Sequence, residues 1–185
     1  MSTAESRHRS EIGPVVVMGV SGSGKSLIGQ GIADALGLEF IEGDRLHPKA
    51  NVEKMAAGIP LDDDDRWPWL DRVGEELARR AAEDGGAVAA CSALKRSYRQ
   101  RLRQVAGARM RIVFLSGSRA LLASRMSARK HHFMPASLLD SQLQTLEAPS
   151  AEDGVLTIDV EASPKEIVSR AVEWLKRGVE GEMRE

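Results

Sequence analysis

The segment Gly19-Val20-Ser21-Gly22-Ser23-Gly24-Lys25-Ser26 limits what this chain can fold into more than any other stretch. It satisfies the pattern G-x-x-x-x-G-K-[ST], in which a glycine-rich turn leaves a strand and opens a helix. Both flanks are present. Val15-Val16-Val17-Met18 is a short β-branched run suited to a strand buried on both faces. Beyond the turn, Leu27, Ile28, Ile32, Ala35 and Leu36 recur at helical spacing and stop at Gly37, a natural helix terminator. The glycines let the backbone curl until several N–H groups point inward, and the helix N-terminus adds partial positive charge. Such a turn cradles the phosphates of a nucleoside triphosphate. The expected nucleotide contacts are Gly19, Ser21, Gly22, Ser23, Gly24 and Leu27, with Lys25 on the β- and γ-phosphates and the Ser26 hydroxyl on Mg²⁺.

The remaining composition narrows the setting. A length of 185 residues suits one well-buried core. No apolar run approaches the ~20 residues of a membrane span, and residues 1–11 are polar without an apolar signal core. Cys91 is the only cysteine, which excludes an internal disulfide. A cytoplasmic protein without a membrane partner is expected. Residues 1–11 and 179–185 read as tails around one domain at 12–178.

The net charge of −1 conceals a separation, because residues 92–132 hold eleven Lys or Arg and no acid, whereas acids dominate 39–84. A basic segment suits phosphate handling and equally suits a nucleic-acid face. Against the second, the segment lacks basic blocks interleaved with aromatics, and the whole chain has three Trp, one Tyr and three Phe. No nucleic-acid partner is expected.

Strand and helix patterns alternate throughout, which predicts an α/β fold with a mainly parallel sheet. Strands are expected near 15–19, 39–42, 87–91, 111–115 and 155–160. Helices are expected near 48–57, from Pro68 to about 84, after Ser92 as N-cap, from 118 to about 128, over 135–146, and from Pro164 onward. Ligands of such sheets gather at the carboxyl ends of the strands. That rule singles out Gly43-Asp44-Arg45, Ser92-Ala93-Leu94-Lys95, Ser116-Gly117 and Glu161-Ala162-Ser163.

Asp44 can accept a proton from an attacking hydroxyl or hold Mg²⁺, or it can be a turn residue bonded to its own backbone. Arg66 closes the run Asp62-Asp63-Asp64-Asp65 and either clamps an anionic substrate or pairs with those aspartates. Lys95 lies close enough to a strand end to reach a ligand. Arg125 and Arg129, spaced i,i+4 on one helix face, suit a lid that closes over transferring phosphates. The histidines at 131 and 132 lack metal-ligand spacing, so zinc is not expected.

Taken together these segments resemble the gluconate kinases (gluconokinases), a family of P-loop small-molecule kinases. The resemblance spans about 15–174 and rests on the P-loop, Gly43-Asp44-Arg45-Leu46-His47-Pro48 and Asp63-Asp64-Asp65-Arg66-Trp67-Pro68-Trp69-Leu70. It also rests on Cys91-Ser92-Ala93-Leu94-Lys95 with Tyr98-Arg99, on Ser124-Arg125 and His132-Phe133-Met134, and on Gln142-Leu143-x-Thr145-Leu146-Glu147-x-Pro149. One position departs: His131 stands where the family usually has glycine.

The resemblance implies a nucleoside-monophosphate- and shikimate-kinase-like fold with five parallel strands in the order 2-3-1-4-5 and a small lid at about 125–136. It implies transfer of the ATP γ-phosphate, with Mg²⁺, to the 6-hydroxyl of D-gluconate. In that setting Lys25, Asp44, Arg125 and Arg129 are the catalytic residues. Asp44, His47, Arg66, Ser92, Lys95 and His132 contact the acceptor, Ser26 and Asp44 serve the metal, and Arg125 also binds nucleotide. Residues 161–164 border the adenine. A homodimer is implied as well. The competing expectations are a kinase for another small hydroxy acid such as shikimate, or a regulatory P-loop NTPase.

Overall fold

The computed structural model describes residues 11–128 and 136–182. Five parallel strands form one sheet in the order β2-β3-β1-β4-β5, as the resemblance implies. They are β1 (Gly13–Met18), β2 (Glu39–Glu42), β3 (Gly86–Ala90), β4 (Arg111–Ser116) and β5 (Val155–Asp159). The helices among the described residues are α1 (Lys25–Leu36), α2 (Lys49–Ala56), α3 (Asp63–Asp84), α4 (Arg96–Ala106), α5 (Arg119–Ser127), α6 (Ala136–Thr145) and α7 (Pro164–Glu182). Among the described residues, no helix is long and apolar enough to cross a membrane.

The central strand explains the apolar run that precedes the glycine turn. β1 is hydrogen-bonded to β3 along one edge and β4 along the other, and helices cover both of its faces. Val15 and Val17 enter one core with Ile28 and Ile32 of α1 and Ile167 and Leu175 of α7. Val16 and Met18 point the opposite way, into a second core with Trp69, Leu70, Val73 and Leu77 of α3 and Leu102 of α4. The period-two alternation assigns each side chain to one core or the other. Every one of those four β1 side chains is fully buried.

Three boundaries differ from the sequence expectation. α3 begins at Asp63, five residues before Pro68, because Asp62 and Asp65 form a capping box in which each side chain accepts from the other's backbone N–H. Asp63, Asp64 and Asp65 then lie in the first turn, where negative charge opposes the positive end of the helix dipole. Pro68 gives up one bond to Asp64, an exposed residue whose carbonyl water can reach. α7 continues past 178, where the sequence suggested a tail, because Val179 is buried in the core.

The third difference concerns Ser92, which does not cap α4. The N-cap is Lys95, which makes no side-chain cap bond, and Glu147 supplies the cap from a distance by accepting from Arg96 N at 2.7 Å. Residues 92–95 therefore remain a loop. Its shape is set by Arg99, which is 1% exposed and donates from Nη1 to the carbonyls of Ala93 (2.9 Å) and Leu94 (3.1 Å). Glu147 N adds a bond to Leu94 O at 2.9 Å. Ala93 sits at φ 45°, a strained value for a residue with a side chain. These bonds over-determine the loop and hold that conformation.

The charge on Arg99 is balanced by Glu152, whose Oε1 accepts from Nη2 at 2.5 Å. This bond, and behind it the bond from Arg103, holds the Glu152 carboxyl below its ordinary value of 4.5. A carboxyl depressed by folding stabilises the fold fully above its unfolded value, and that contribution is lost as pH falls through the folded one. Arg99→Ala empties a buried site, leaves the Ala93 carbonyl without its partner and leaves Glu152 to Arg103 alone, and is expected to cost about 3 kcal/mol in urea unfolding at pH 7. The gap between the variant and the unmodified protein should narrow below pH 4.5. A gap that does not change with pH contradicts this account.

Candidate active site

The turn between β1 and α1 forms the floor of the site. Gly19, Gly22 and Gly24 have φ of 152°, 82° and 90°, the region that favours glycine. Gly19 is constrained sterically as well, since a Cβ there would lie 2.7 Å from Ser23 Oγ and 2.9 Å from Leu115 O. Gly24 caps α1 in the left-handed conformation, and the first turn of that helix carries no acid. The helix end is thus left positive for an anion. Lys25 Nζ donates to Val20 O at 3.1 Å, which draws the ammonium back over the turn. Ser23 is 1% exposed, and its Oγ has no hydrogen-bond partner among the described residues.

A cleft of about 350 Å³ opens beside this turn, lined by Gly22, Ser23, Gly24, Ser26, Leu27, Arg125, Ala162 and Pro164. It brings together the expected nucleotide contacts at 22–27, Arg125 and the loop after β5. Arg125 is fixed there by a bond from Nη2 to Val160 O at 2.5 Å. Arg129 and His132 lie outside the described residues.

The metal expectation is refined. Ser26 Oγ donates to Glu42 Oε2 at 2.5 Å, so the carboxylate beside the P-loop hydroxyl is that of Glu42. Asp44 makes no such contact among the described residues. A hydroxyl and a carboxylate are oxygen donors of the hard type that Mg²⁺ takes, and Mg²⁺ keeps most of its shell for water and phosphate. No cluster of three or more His, Cys, Asp or Glu suited to a metal exists among the described residues. The donor set fits a phosphate-bound Mg²⁺ and does not resemble an all-protein cage. Glu42 was overlooked in the sequence because it was counted as the last strand residue, although the strand-end rule covers it.

Across the crevice, Asp44 is exposed on a 3-10 turn at Gly43–Leu46. Trp69 fastens both flanks of that aspartate. Its Nε1 donates to Gly43 O at 2.8 Å, and its ring stacks on His47 with centroids 4.2 Å apart and 14° between planes. Asn51, 3% exposed, donates from Nδ2 to Asp65 O at 2.8 Å and meets His47 Nδ1 at 3.2 Å. An amide nitrogen only donates, so Nδ1 accepts and the imidazole proton sits on Nε2. Burial lowers the His47 pKa, Asp44 raises it and Arg66 lowers it again. His47 is therefore held neutral, with its Nε2–H available as a donor.

Of the two expectations for Arg66, pairing with the neighbouring aspartates is not seen among the described residues. Its guanidinium lies 5.8 Å over the Tyr98 ring. Lys95 behaves differently. Its Nζ binds both oxygens of Asp63 at 2.8 and 3.1 Å, while the Tyr98 hydroxyl also donates to Asp63. Lys95 and Tyr98 hold the Asp63 carboxyl below its ordinary value. Lys95 thus anchors the start of α3 and has less charge to spare for an acceptor than the sequence suggested. Ser92 is half-buried just past β3.

The Cys91 thiol links the two halves. It is buried at the end of β3 within the fields of Asp44, Lys25 and Arg66, and burial pushes its pKa up to about 12. Such a thiol is no nucleophile at neutral pH. A P-loop turn at the carboxyl ends of a parallel sheet, with an exposed aspartate on the turn after the neighbouring strand, is the arrangement of a P-loop kinase.

The comparisons sharpen that class. Residues 15–149 match the AAA domain family. The chain is 48% identical over 160 residues to the gluconokinase of Gluconobacter oxydans, covering 85% of this chain and 88% of that one. It is 47% identical over 152 residues to a probable gluconokinase of Schizosaccharomyces pombe, covering 79% of each. Among solved structures, a gluconokinase from Sinorhizobium meliloti superimposes with a TM-score of 0.85 at 53% identity, over 94% of this chain and 97% of that one. The chain belongs to the gluconokinase family.

Gly43 provides a local test of the wall. A Cβ there would lie 2.3 Å from Ala90 O, so Gly43→Ala must displace the turn that carries Asp44. A displacement on that scale is expected to lower turnover about 100-fold while nucleotide affinity stays unchanged. Equal losses in both quantities contradict the separation of floor and wall.

Proposed function

We propose that this protein is an ATP-dependent gluconokinase, which transfers the γ-phosphate of ATP to the 6-hydroxyl of D-gluconate to give 6-phospho-D-gluconate and ADP. The observation that carries the reading is the complete phosphate turn, with Lys25 Nζ on Val20 O and Ser26 Oγ on Glu42, set at the carboxyl ends of the same sheet that carries Asp44 on the turn after β2. Lys25 and the amides of 22–24 hold the phosphates, and Ser26 with Glu42 would hold Mg²⁺, which when bound neutralises phosphate charge. Leu27, Arg125 and residues 161–164 border the nucleoside. Arg66 takes the gluconate carboxylate in its planar fork, and His47 Nε2–H donates to a hydroxyl. Asp44 orients the 6-hydroxyl and receives its proton as the O–P bond forms. Ser92 and Lys95 lie at the edge of the acceptor pocket, while the roles expected of Arg129 on the phosphates and of His132 on the acceptor fall outside the described residues. A reducing cytoplasm suits the single buried thiol. A homodimer remains part of this reading through the family.

A shikimate-like acceptor is the second reading, since a carboxylate clamp beside a proton acceptor suits any small hydroxy acid. Coupled ADP release, measured across gluconate, shikimate and nucleoside monophosphates, separates the two. Turnover is expected with gluconate alone, and turnover with another acceptor but not with gluconate overturns the assignment. In the same assay Asp44→Asn should lower kcat by about 100-fold or more with little change in KM for ATP. An unchanged kcat returns Asp44 to a turn residue.

A further inference from the structure

The segment Gln142 to Pro149 is prominent in the sequence, yet nothing above gives Gln142 a task. In the structure its Oε1 accepts from Ser21 N at 2.6 Å, across 121 residues of chain. Ser21 N–H is one of the inward amides of the phosphate turn. The carbonyl of the same peptide group is Val20 O, which accepts from Lys25 Nζ at 3.1 Å. Lys25 and Gln142 therefore grip the two ends of one peptide unit in the turn, and Lys25 is the side chain that reaches the β- and γ-phosphates.

A carboxamide has an acceptor arm and a donor arm in one plane. Because a backbone N–H can only donate, the oxygen arm must be the one on Ser21, and this fixes Nε2 as the outer arm. No described residue accepts from Nε2. The side chain is half-buried, so its torsions are constrained while this donor remains accessible. The far end of the same segment is also tied down. Leu146 N donates to Gln142 O at 2.9 Å, Glu147 N donates to Leu94 O at 2.9 Å, and Glu147 Oε2 caps α4 at Arg96. One short segment thus spans from the phosphate turn to the loop after β3.

We propose that Gln142 is a further nucleotide-binding residue. With Oε1 held by Ser21 N–H, its Nε2–H₂ donates to the γ-phosphate of ATP, and the site thereby distinguishes ATP from ADP. This rests on the triphosphate reading of the P-loop and is independent of which acceptor is phosphorylated.

The test is calorimetric titration of ADP and of a non-hydrolysable ATP analogue, with Mg²⁺ and without gluconate, into the unmodified protein, Gln142→Ala and Gln142→Glu. Gln142→Glu keeps an acceptor for Ser21 N–H and removes the donor, so it preserves the brace, and repeating the titrations at high salt separates the lost hydrogen bond from the repulsion of the added charge, which salt screens. Melting temperature reports whether each variant folds. The expected result is an ADP Kd within about twofold of normal in Gln142→Glu and an ATP-analogue Kd weakened about 10-fold, the scale of one hydrogen bond to a charged group. Gln142→Ala should also weaken the analogue more than ADP.

Equal weakening of both nucleotides in Gln142→Glu assigns Gln142 to bracing alone and overturns the proposal. An unchanged or tighter analogue Kd also overturns it, the latter by making Gln142 a stand-in that phosphate must displace. If the unmodified protein binds neither nucleotide, the triphosphate reading falls with it. Turnover of gluconate does not enter any of these outcomes.

Discussion

The backbone turn between β1 and α1 must pass through Gly19, Gly22 and Gly24 at positive φ while delivering the start of a helix to the end of a buried strand. That is possible only if the strand is immobile and the helix has somewhere to pack. Both requirements shape the remainder of the molecule. β1 is fixed by neighbours on each edge, and its alternating side chains reach into two separate cores. α1 buries Ile28 and Ile32 against the sheet on the side where α7 packs. The sheet order places the ends of β3 and β4 on either side of the turn, and these ends are the walls a substrate meets.

The wall on the β3 side is built by supports more than by reactive groups. Trp69, a fully buried side chain of α3, holds the Gly43 carbonyl and stacks on His47. Its own position follows from a helix that starts early, at the capping box of Asp62 and Asp65, and Lys54 from α2 ties Asp65 down at 2.6 Å. Arg99 and Glu147 shape the loop at 93–96 by bonding its backbone directly. Asp44 and Arg66 thus stand on a rigid frame, exposed or half-exposed, with few competing partners. Pre-arranged charge in such a frame needs little reorganisation when phosphate charge moves.

How much of this the sequence disclosed depends on whether a feature is local. The phosphate turn is a local device, with strand, glycines and helix contiguous, and it was legible with its residues. The strand order and family followed from the resemblance. The α3 start was misread because Pro68 resembles a first-turn proline, whereas the Asp62–Asp65 box uses two aspartates where the usual signal is Ser or Thr with Glu. Ser92 was misread as a cap because the true partner, Glu147, lies 51 residues from Arg96. Lys95 looked available until its distance to Asp63, 32 residues away, was known. Glu42 at Ser26 and Gln142 at Ser21 are likewise products of folding, invisible to spacing along the chain. Motifs made of neighbours can be read directly; contacts made by topology cannot.

The central claim is that one crevice holds phosphate on the P-loop side and a small hydroxy acid on the Asp44 and Arg66 side. A crystal structure with a non-hydrolysable ATP analogue, Mg²⁺ and gluconate tests it most directly. The account predicts the gluconate carboxylate against the Arg66 guanidinium, with the 6-hydroxyl in hydrogen-bond reach of Asp44 and facing the terminal phosphate held at Lys25. Gluconate bound in the reverse sense, or outside the crevice altogether, would contradict it.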